Sequence, residues 1–413
     1  MGNLLVSFVI ATHNRREILV RTLNRLQEIE CPRTNYEIIV VDNDSRDGTV
    51  EAAKPFANVV VPLDQNLGSC AKALGVDRAA APFIVFLDDD SYPQLGSVAR
   101  MLDYFEKDAG LAAAGFTVHL PCGEMESSAL PHVFHGCGVG LRSAAIREVG
   151  NLDRSFFMQA EEYDVCFRLA NAEWTPRVFD DLHVDHLKTA QTRRPERTTY
   201  LDTRNNLRLV ARYLFGEAAQ AYRRDWLQRY RWIAERECHL EAFARGRAEG
   251  LKDARRERSG IERRRLRLQP FETFFSWQVV AEHMAELGRR GIRRIVLAGF
   301  GKNVYAFYRA AKRLDLQIIA IADDGFAGGN RVYRNIPVVG MDETLSFSPE
   351  AVVIGQTAPV FARKTADLWK GKTEVPVLDW FGGRATSLLR PGGAAVSETR
   401  RLSTKADLAS VGA

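Results

Sequence analysis

The feature that most constrains this chain is a regular beat of short apolar runs, each ending in a polar cluster. "LLVSFVIA" (4–11) leads into "THNRR", "YEIIVVD" (36–42) into "DNDS", "ANVVVPL" (57–63) into "DQN", and "PFIVFLD" (82–88) into "DDDS". Runs of this length, rich in β-branched residues and bounded by turn formers, read as buried strands. Helix-like stretches at 16–29, 47–54 and 68–80 lie between them, and "DNDSRDGTVEAA" supplies caps for the second. Strands alternating with helices call for an α/β fold with a mostly parallel sheet. Ligands of such sheets bind beyond the carboxyl ends of the strands. One rim should therefore gather Asp42, Asp44, Asp64, Asn66 and Asp88, Asp89 and Asp90.

With 413 residues, 46% hydrophobic and 26% charged, the chain has room for more than one globular unit. Its formal net charge of +5 is unevenly spread: Glu217 to Leu268 holds fifteen Lys/Arg against nine Asp/Glu, a net of +6, leaving the rest near −1. That stretch reads as helical and is either a solvated face or a surface attracted to an anionic membrane or substrate. The six cysteines form no paired spacing, so neither a zinc site nor a disulfide framework is indicated, and a reducing cytoplasm is the simplest compartment. The first residues lack the pattern of a signal peptide, position 6 is Val where myristoylation needs Ser or Thr, and no apolar run reaches membrane-spanning length. A second α/β unit begins near 270, and the tail from about 390 reads as disordered.

Three adjacent aspartates at a strand end repel one another. On an extended strand Asp88 and Asp90 share a side and Asp89 faces away. Two hard oxygens on one side suit Mn²⁺ or Mg²⁺ bridging to phosphates; the other reading is an acidic turn capping the next helix. The motifs "SFVIATHNRREILVRTLNRL", "EIIVVDNDSRDGT", "NLGSCAKALGVDRA" and "FIVFLDDDSYP", in that order and spacing, resemble the glycosyltransferases of family 2, with the GT-A fold. The resemblance covers about residues 5–215, and "DDDS" with a later "EE" looks like the rhamnosyltransferase-like branch.

That resemblance implies roles. Thr12, Asn14 and Arg15 would edge the nucleotide pocket and Asp42 would bond the base. Asp88 and Asp89 would lie on the donor side, with Asp88 and Asp90 on the metal and His186, in "LHVDHLKT", as a further metal ligand or a plain hydrogen-bonding residue. The family often carries Arg-Asn where this chain has Lys72-Ala73; Lys72 keeps the charge for phosphate without the guanidinium fork. Of the second acidic cluster, Glu162 matches the general base and Glu161 is the runner-up, while Asp164 and Arg168, four apart, form a helical ion pair. "HGCGVGLR" (135–142) would pass near the donor sugar, and Arg204-Asn205 is structural or diphosphate-binding.

The C-terminal unit resembles small Rossmann-like domains attached to sugar-modifying enzymes. In "GFGKNV", Gly299 and Gly301, with Asp323 after the next strand, either hold a nucleotide or merely ease a turn. The expected organisation is thus a glycosyltransferase domain (1–215), a basic helical segment (216–269), a Rossmann-like domain (270–389) and a disordered tail (390–413). The expected activity is inverting, metal-dependent transfer from a nucleoside-diphosphate sugar to a glycan or lipid-linked acceptor, in the cytoplasm or at the inner membrane face. The alternatives are a nucleotide-sugar-binding scaffold or a bifunctional chain with a C-terminal nucleotide site. No nucleic-acid partner is expected.

Overall fold

The computed structural model of the chain describes residues 4–189, 194–257 and 264–383; the expected disordered tail lies outside the described residues. Among the described residues a nine-stranded sheet is built from β1 (Val6–Thr12), β2 (Tyr36–Asp42), β3 (Val59–Pro62), β4 (Phe83–Asp88), β5 (Ser91–Pro93), β6 (Leu111–His119), β7 (Met125–Glu126), β8 (Val139–Arg142) and β9 (Thr175–His186). Its order is β3-β2-β1-β4-β8-β6-β9-β5, with β7 paired to β6. The four runs read from the sequence, β1 to β4, pair in parallel. Beyond β4 the sheet is mixed: β8 is antiparallel to β4 and β6, and β9 is parallel to β6.

Strand alternation sorts the core into two layers. Phe8, Ile10, Ile38, Val40, Val85 and Leu87 face the helices Arg16–Arg25 and Ser97–Lys107, with Leu19, Leu23, Met101 and Phe105. Val9, Ile39, Ile84 and Phe86 face the helices Lys72–Arg78 and Glu161–Asn171, with Val76, Val165 and Leu169. Register sets the rim: Thr12 is level with Asp42, and Ala11 with Asp88.

The helices Pro195–Tyr213, Gly216–Arg236 and Leu240–Glu257 follow. Gly246 and Gly250, four apart on one face, let the last pack against the first at backbone distance: a Cβ at Gly246 would meet the Tyr200 carbonyl oxygen at 2.4 Å, and one at Gly250 the Arg204 carbonyl at 2.9 Å. A second sheet, ordered β12-β13-β11-β10-β14-β15, comprises β10 (Arg294–Ala298), β11 (Gln317–Ala322), β12 (Val332–Tyr333), β13 (Ile336–Val339), β14 (Ala351–Ile354) and β15 (Val377–Leu378). It is parallel except for the β12–β13 hairpin. The α/β class, the mixed, mostly parallel sheet with flanking helices, the helical segment and the smaller second sheet all agree with expectation. No helix among the described residues is long and apolar enough to cross a membrane.

Candidate active site

The rim opens into a cleft of about 910 Å³, bordered by the ends of β1 and β4, the loop before β8, the first turn of Glu161–Asn171 and the helices Pro195–Tyr213 and Gly216–Arg236. All three aspartates border it, but β4 ends at Asp88 and strand alternation does not continue through the triad. The Asp88 side chain is 38% exposed, against 4% for Asp89 and 1% for Asp90. Arg15 explains the burial of the latter two: Nη1 donates to Asp89 Oδ1 at 2.5 Å and Nη2 to Asp90 Oδ2 at 2.8 Å. Thr12 Oγ1 adds a bond to Asp89 Oδ2 at 2.8 Å, and the Thr189 N–H and hydroxyl donate to Asp90 Oδ2 at 2.9 and 2.7 Å. The expectation that Asp88 and Asp90 face a ligand together thus gives way to Asp88 in front and a clamped pair behind. Burial, against the pull of Arg15, pushes Asp89 up to about 7.

Asn14 joins two rim loops: its N–H donates to Ser45 Oγ at 2.8 Å, and its Oδ1 accepts from the Arg46 N–H at 2.7 Å. Asp42 is buried behind the rim, with Oδ2 accepting from the Ser45 N–H at 2.9 Å; its neighbour Asn43 borders the cleft in its place. Lys72 is 2% exposed, yet its ammonium reaches Asp88 Oδ1 at 2.5 Å and the Gly136 carbonyl at 2.9 Å. Despite its burial, Asp88 holds this lysine above the usual range. Ala73, where the family often has Asn, is buried and offers only its carbonyl, to Asn151 Nδ2 at 2.9 Å.

Opposite stand Glu161 and Glu162, in the first turn of their helix. The Glu162 Oε1 lies 3.4 Å from the Gly136 N–H, so one glycine touches both this acid and Lys72. Glu161 accepts from Ser69 Oγ through Oε1, while its buried Oε2 has no hydrogen-bond partner among the described residues. Burial raises both carboxyls, Glu161 well above the usual range with Glu162 adding to the effect. Asp164 turns inward, with Arg168 Nη2 at 2.8 Å, Arg212 Nη1 at 2.9 Å and Tyr213 OH at 2.6 Å, and its pair with Arg168 is present. Arg204 and Asn205 bind the backbone carbonyl of Phe156, at 2.8 and 3.1 Å, and lie off the cleft.

Asp88, His186 and Cys137 each bring one ligand atom within 4.8 Å of the others. The carboxylate suits Mn²⁺ or Mg²⁺ and the imidazole a transition-metal ion, whereas a thiol is a softer donor than either Mn²⁺ or Mg²⁺ prefers. Asp90, expected as a ligand, sits beside His186, its Oδ1 3.4 Å from Nε2. Glu126 Oε2 is 3.2 Å from Nδ1. Against burial, hydrogen bonds with Asp90, Cys137 and Glu126 push His186 up to about 12. Cys137 and Glu126 escaped the sequence reading: the first sits inside "HGCGVG", quoted for its glycines, and the second in a two-residue strand without a motif.

Residues 7–131 match the family model described as Glycosyl transferase family 2. The likeness to family 2 is thus carried by residues 7–131, under a third of the chain. Over 94 residues it is 34% identical to the glycosyltransferase AglE of Haloferax volcanii, a match spanning 21% of this chain and 31% of that protein. Over 111 residues it is 30% identical to the poly(ribitol-phosphate) beta-N-acetylglucosaminyltransferase TarS of Staphylococcus aureus, spanning 25% and 19%. The matches therefore span less than a third of either relative's length. Among solved structures, the mannosyltransferase PcManGT of Pyrobaculum calidifontis, in complex with GDP-Man and Mn²⁺, aligns at a TM-score of 0.45 and 18% identity, covering 61% of this chain and 76% of that one.

The second sheet meets the helix Gly216–Arg236 through the loop 299–303, which does not border the cleft. The glycines there fit their own chain: a Cβ on Gly299 would meet Gln356 Nε2, and one on Gly301 Gln356 Oε1, both at 2.5 Å. Asp323 Oδ2 accepts from the Phe300 N–H at 2.6 Å. Trp226 Nε1 donates to the Lys302 carbonyl at 2.8 Å, and Arg229 to that of Phe300. Gly299, Gly301 and Asp323 thus lie away from the cleft and are engaged by their surroundings. Lys302 is buried with its ammonium 4.1 Å from the Tyr163 ring centre and 4.5 Å from that of Trp226. Burial, against the attraction of Asp202, pulls it down to about 7.

Proposed function

We propose that the chain is an inverting, metal-dependent glycosyltransferase that moves a sugar from a nucleoside-diphosphate donor to a hydroxyl of a glycan or lipid-linked acceptor, at the cytoplasmic side of a membrane. The observation that carries this is the meeting at Gly136: the cation suited to the departing diphosphate and the acid suited to the attacking hydroxyl face one cleft and touch the same glycine. Residues 1–215 would do the transfer, 216–269 bridge, and 270–389 buttress.

In this reading Thr12, Asn14, Arg15 and Asp42 shape the nucleotide end, with Asp89 fixing Arg15. Asp88, His186 and Cys137 would hold the divalent ion, which supplies charge neutralisation for the leaving diphosphate; Asp90 orients His186. Lys72, buried and held charged by Asp88, adds positive charge that needs no solvent reorganisation. Glu162 takes the proton from the acceptor hydroxyl as its oxygen attacks the anomeric carbon opposite the diphosphate, so the configuration inverts without a covalent enzyme intermediate. Glu161, deeper and bonded to Ser69, keeps Glu162 from a second free carboxylate. The reading in which Gly299, Gly301 and Asp323 hold another nucleotide has less support, because their own chain occupies that space.

The test is nucleoside diphosphate release from a panel of sugar nucleotides, with acceptor candidates and with or without Mn²⁺. Acceptor- and metal-dependent release with one donor is the expected result. Binding of a donor without transfer to any acceptor would instead favour the scaffold.

A further inference from the structure

A second concavity lies on the other side of the helix Gly216–Arg236, between it, the start of Leu240–Glu257 and the segment 324–335. Its volume is about 1230 Å³. Among the described residues six arginines border it, Arg224, Arg231, Arg236, Arg247, Arg331 and Arg334. The acids on the same walls are Glu235 and Asp324, and both are engaged. Glu235 is shared by Arg231 at 2.9 Å and Arg331 at 3.2 Å, and Asp324 Oδ1 accepts from the Met341 N–H at 2.9 Å. Arg334 is tied to Asp225 at 2.8 Å. Arg224 and Arg247 are exposed and have no hydrogen bond or ion pair to a described residue. Trp232 and Phe243 give the groove an aromatic side, with the Arg331 guanidinium 5.3 Å from the Trp232 ring centre.

We infer that this groove binds a linear, oxyanion-bearing chain, a glycan carrying phosphodiesters or carboxylates. Arginine's planar fork matches such groups bidentately, and Arg224 and Arg247 offer theirs without a competing carboxylate partner among the described residues. The excess of cations over acids concentrates field in a concave wall. A groove closed by helices on two sides fits a chain rather than the flat plane of a bilayer. The same helix separates groove and cleft: Tyr230 and Ile233 border the cleft, Arg231 and Trp232 the groove. A chain held in the groove lies about one helix diameter, ~10–12 Å, from the cleft. Its use as a hold for the acceptor or product rests on the transferase reading; the binding itself does not.

The full chain and a double variant, Arg224→Glu with Arg247→Glu, are titrated with fluorescent linear polyphosphate and with oligogalacturonate, which separate phosphate from carboxylate sources. An uncharged glucan and phosphatidylglycerol vesicles run alongside. Tight, salt-sensitive binding of at least one anionic chain, weakened tenfold or more in the double variant with an unchanged melting temperature, is expected. If the variant melts lower, Arg224→Gln with Arg247→Gln replaces it. Binding of neither chain, binding that ignores both variants, or binding of vesicles alone overturns the proposal. Donor hydrolysis without acceptor is measured in the same samples and should be unchanged. Groove binding without any sugar transfer would leave this inference standing and remove the transferase reading; transfer without groove binding would do the reverse.

Discussion

Arg15 decides how three adjacent aspartates coexist. One guanidinium pairs with both Asp89 and Asp90, so part of the repulsion that a bare reading assigns to the triad is met by protein, and Asp88 is the most exposed of the three at the cleft. Replacing Arg15 by Met removes the guanidinium from two carboxylates with 4% and 1% exposure; a loss of about 3–5 kcal/mol is expected in urea denaturation. Glu162→Gln is expected to lower transfer by about 10²–10⁴-fold with donor KM little changed, in steady-state kinetics. If Glu161→Gln does this and Glu162→Gln does not, the base is Glu161. Glu161 also gives a pH signature. Its folded pKa is raised by burial, so its stabilising share is complete below about 4.5 and is lost as pH rises through the folded value. Glu161→Gln should therefore raise the melting temperature at pH 8 and hardly move it at pH 4. An equal gain at both pH values would show that ionisation is not the cause.

At the scale of elements, β1, β2 and β4 were legible because each is a continuous apolar run buried in a parallel sheet, and β3 because its run of valines survives at the partly exposed edge. The later strands were not. β8 starts inside a glycine-rich loop, and β9 is twelve residues long with six charged or histidine positions on its exposed side or in the site. Their identity comes from pairing, which no local pattern announces. The helix pair Pro195–Tyr213 and Leu240–Glu257 depends on Gly246 and Gly250. Gly246→Leu should prise the helices apart and cost several kcal/mol by denaturant melts, since its first side-chain carbon meets the Tyr200 carbonyl, which cannot yield. Two glycines four apart were visible in the sequence, but which helix they face was not.

Across the whole molecule, the helix Gly216–Arg236 touches both sheets' surroundings. Asp225, 2% exposed, accepts from Tyr333 OH at 2.6 Å and pairs with Arg334, and Tyr222 OH donates to Asn303 Oδ1 at 2.5 Å. Asp225→Ala strands an arginine and a phenol at this junction. A loss of about 3 kcal/mol is expected, with chemical unfolding splitting into two transitions as the second sheet uncouples. A single unshifted transition would mean that the apolar contacts alone hold the junction. The same junction explains why "GFGKNV" misleads as a nucleotide motif: its glycines permit close approach, but what approaches is Gln356 of its own unit, and its lysine points into the rings of Tyr163 and Trp226.

The sequence by itself determined the strand–helix beat, the rim on which polar residues gather, and the four motifs that mark the domain's family, because these rest on period, turn chemistry and spacing within short windows. Only the tertiary structure decided which carboxylate faces the cleft, that Cys137 joins Asp88 and His186, and that Asp42 and Asp323 are engaged behind their rims. Those outcomes depend on groups dozens of residues away, such as Arg15 reaching Asp90 and Lys72 reaching Gly136, and on burial. Neither a charge's partner nor its dielectric surroundings are written in its immediate neighbours.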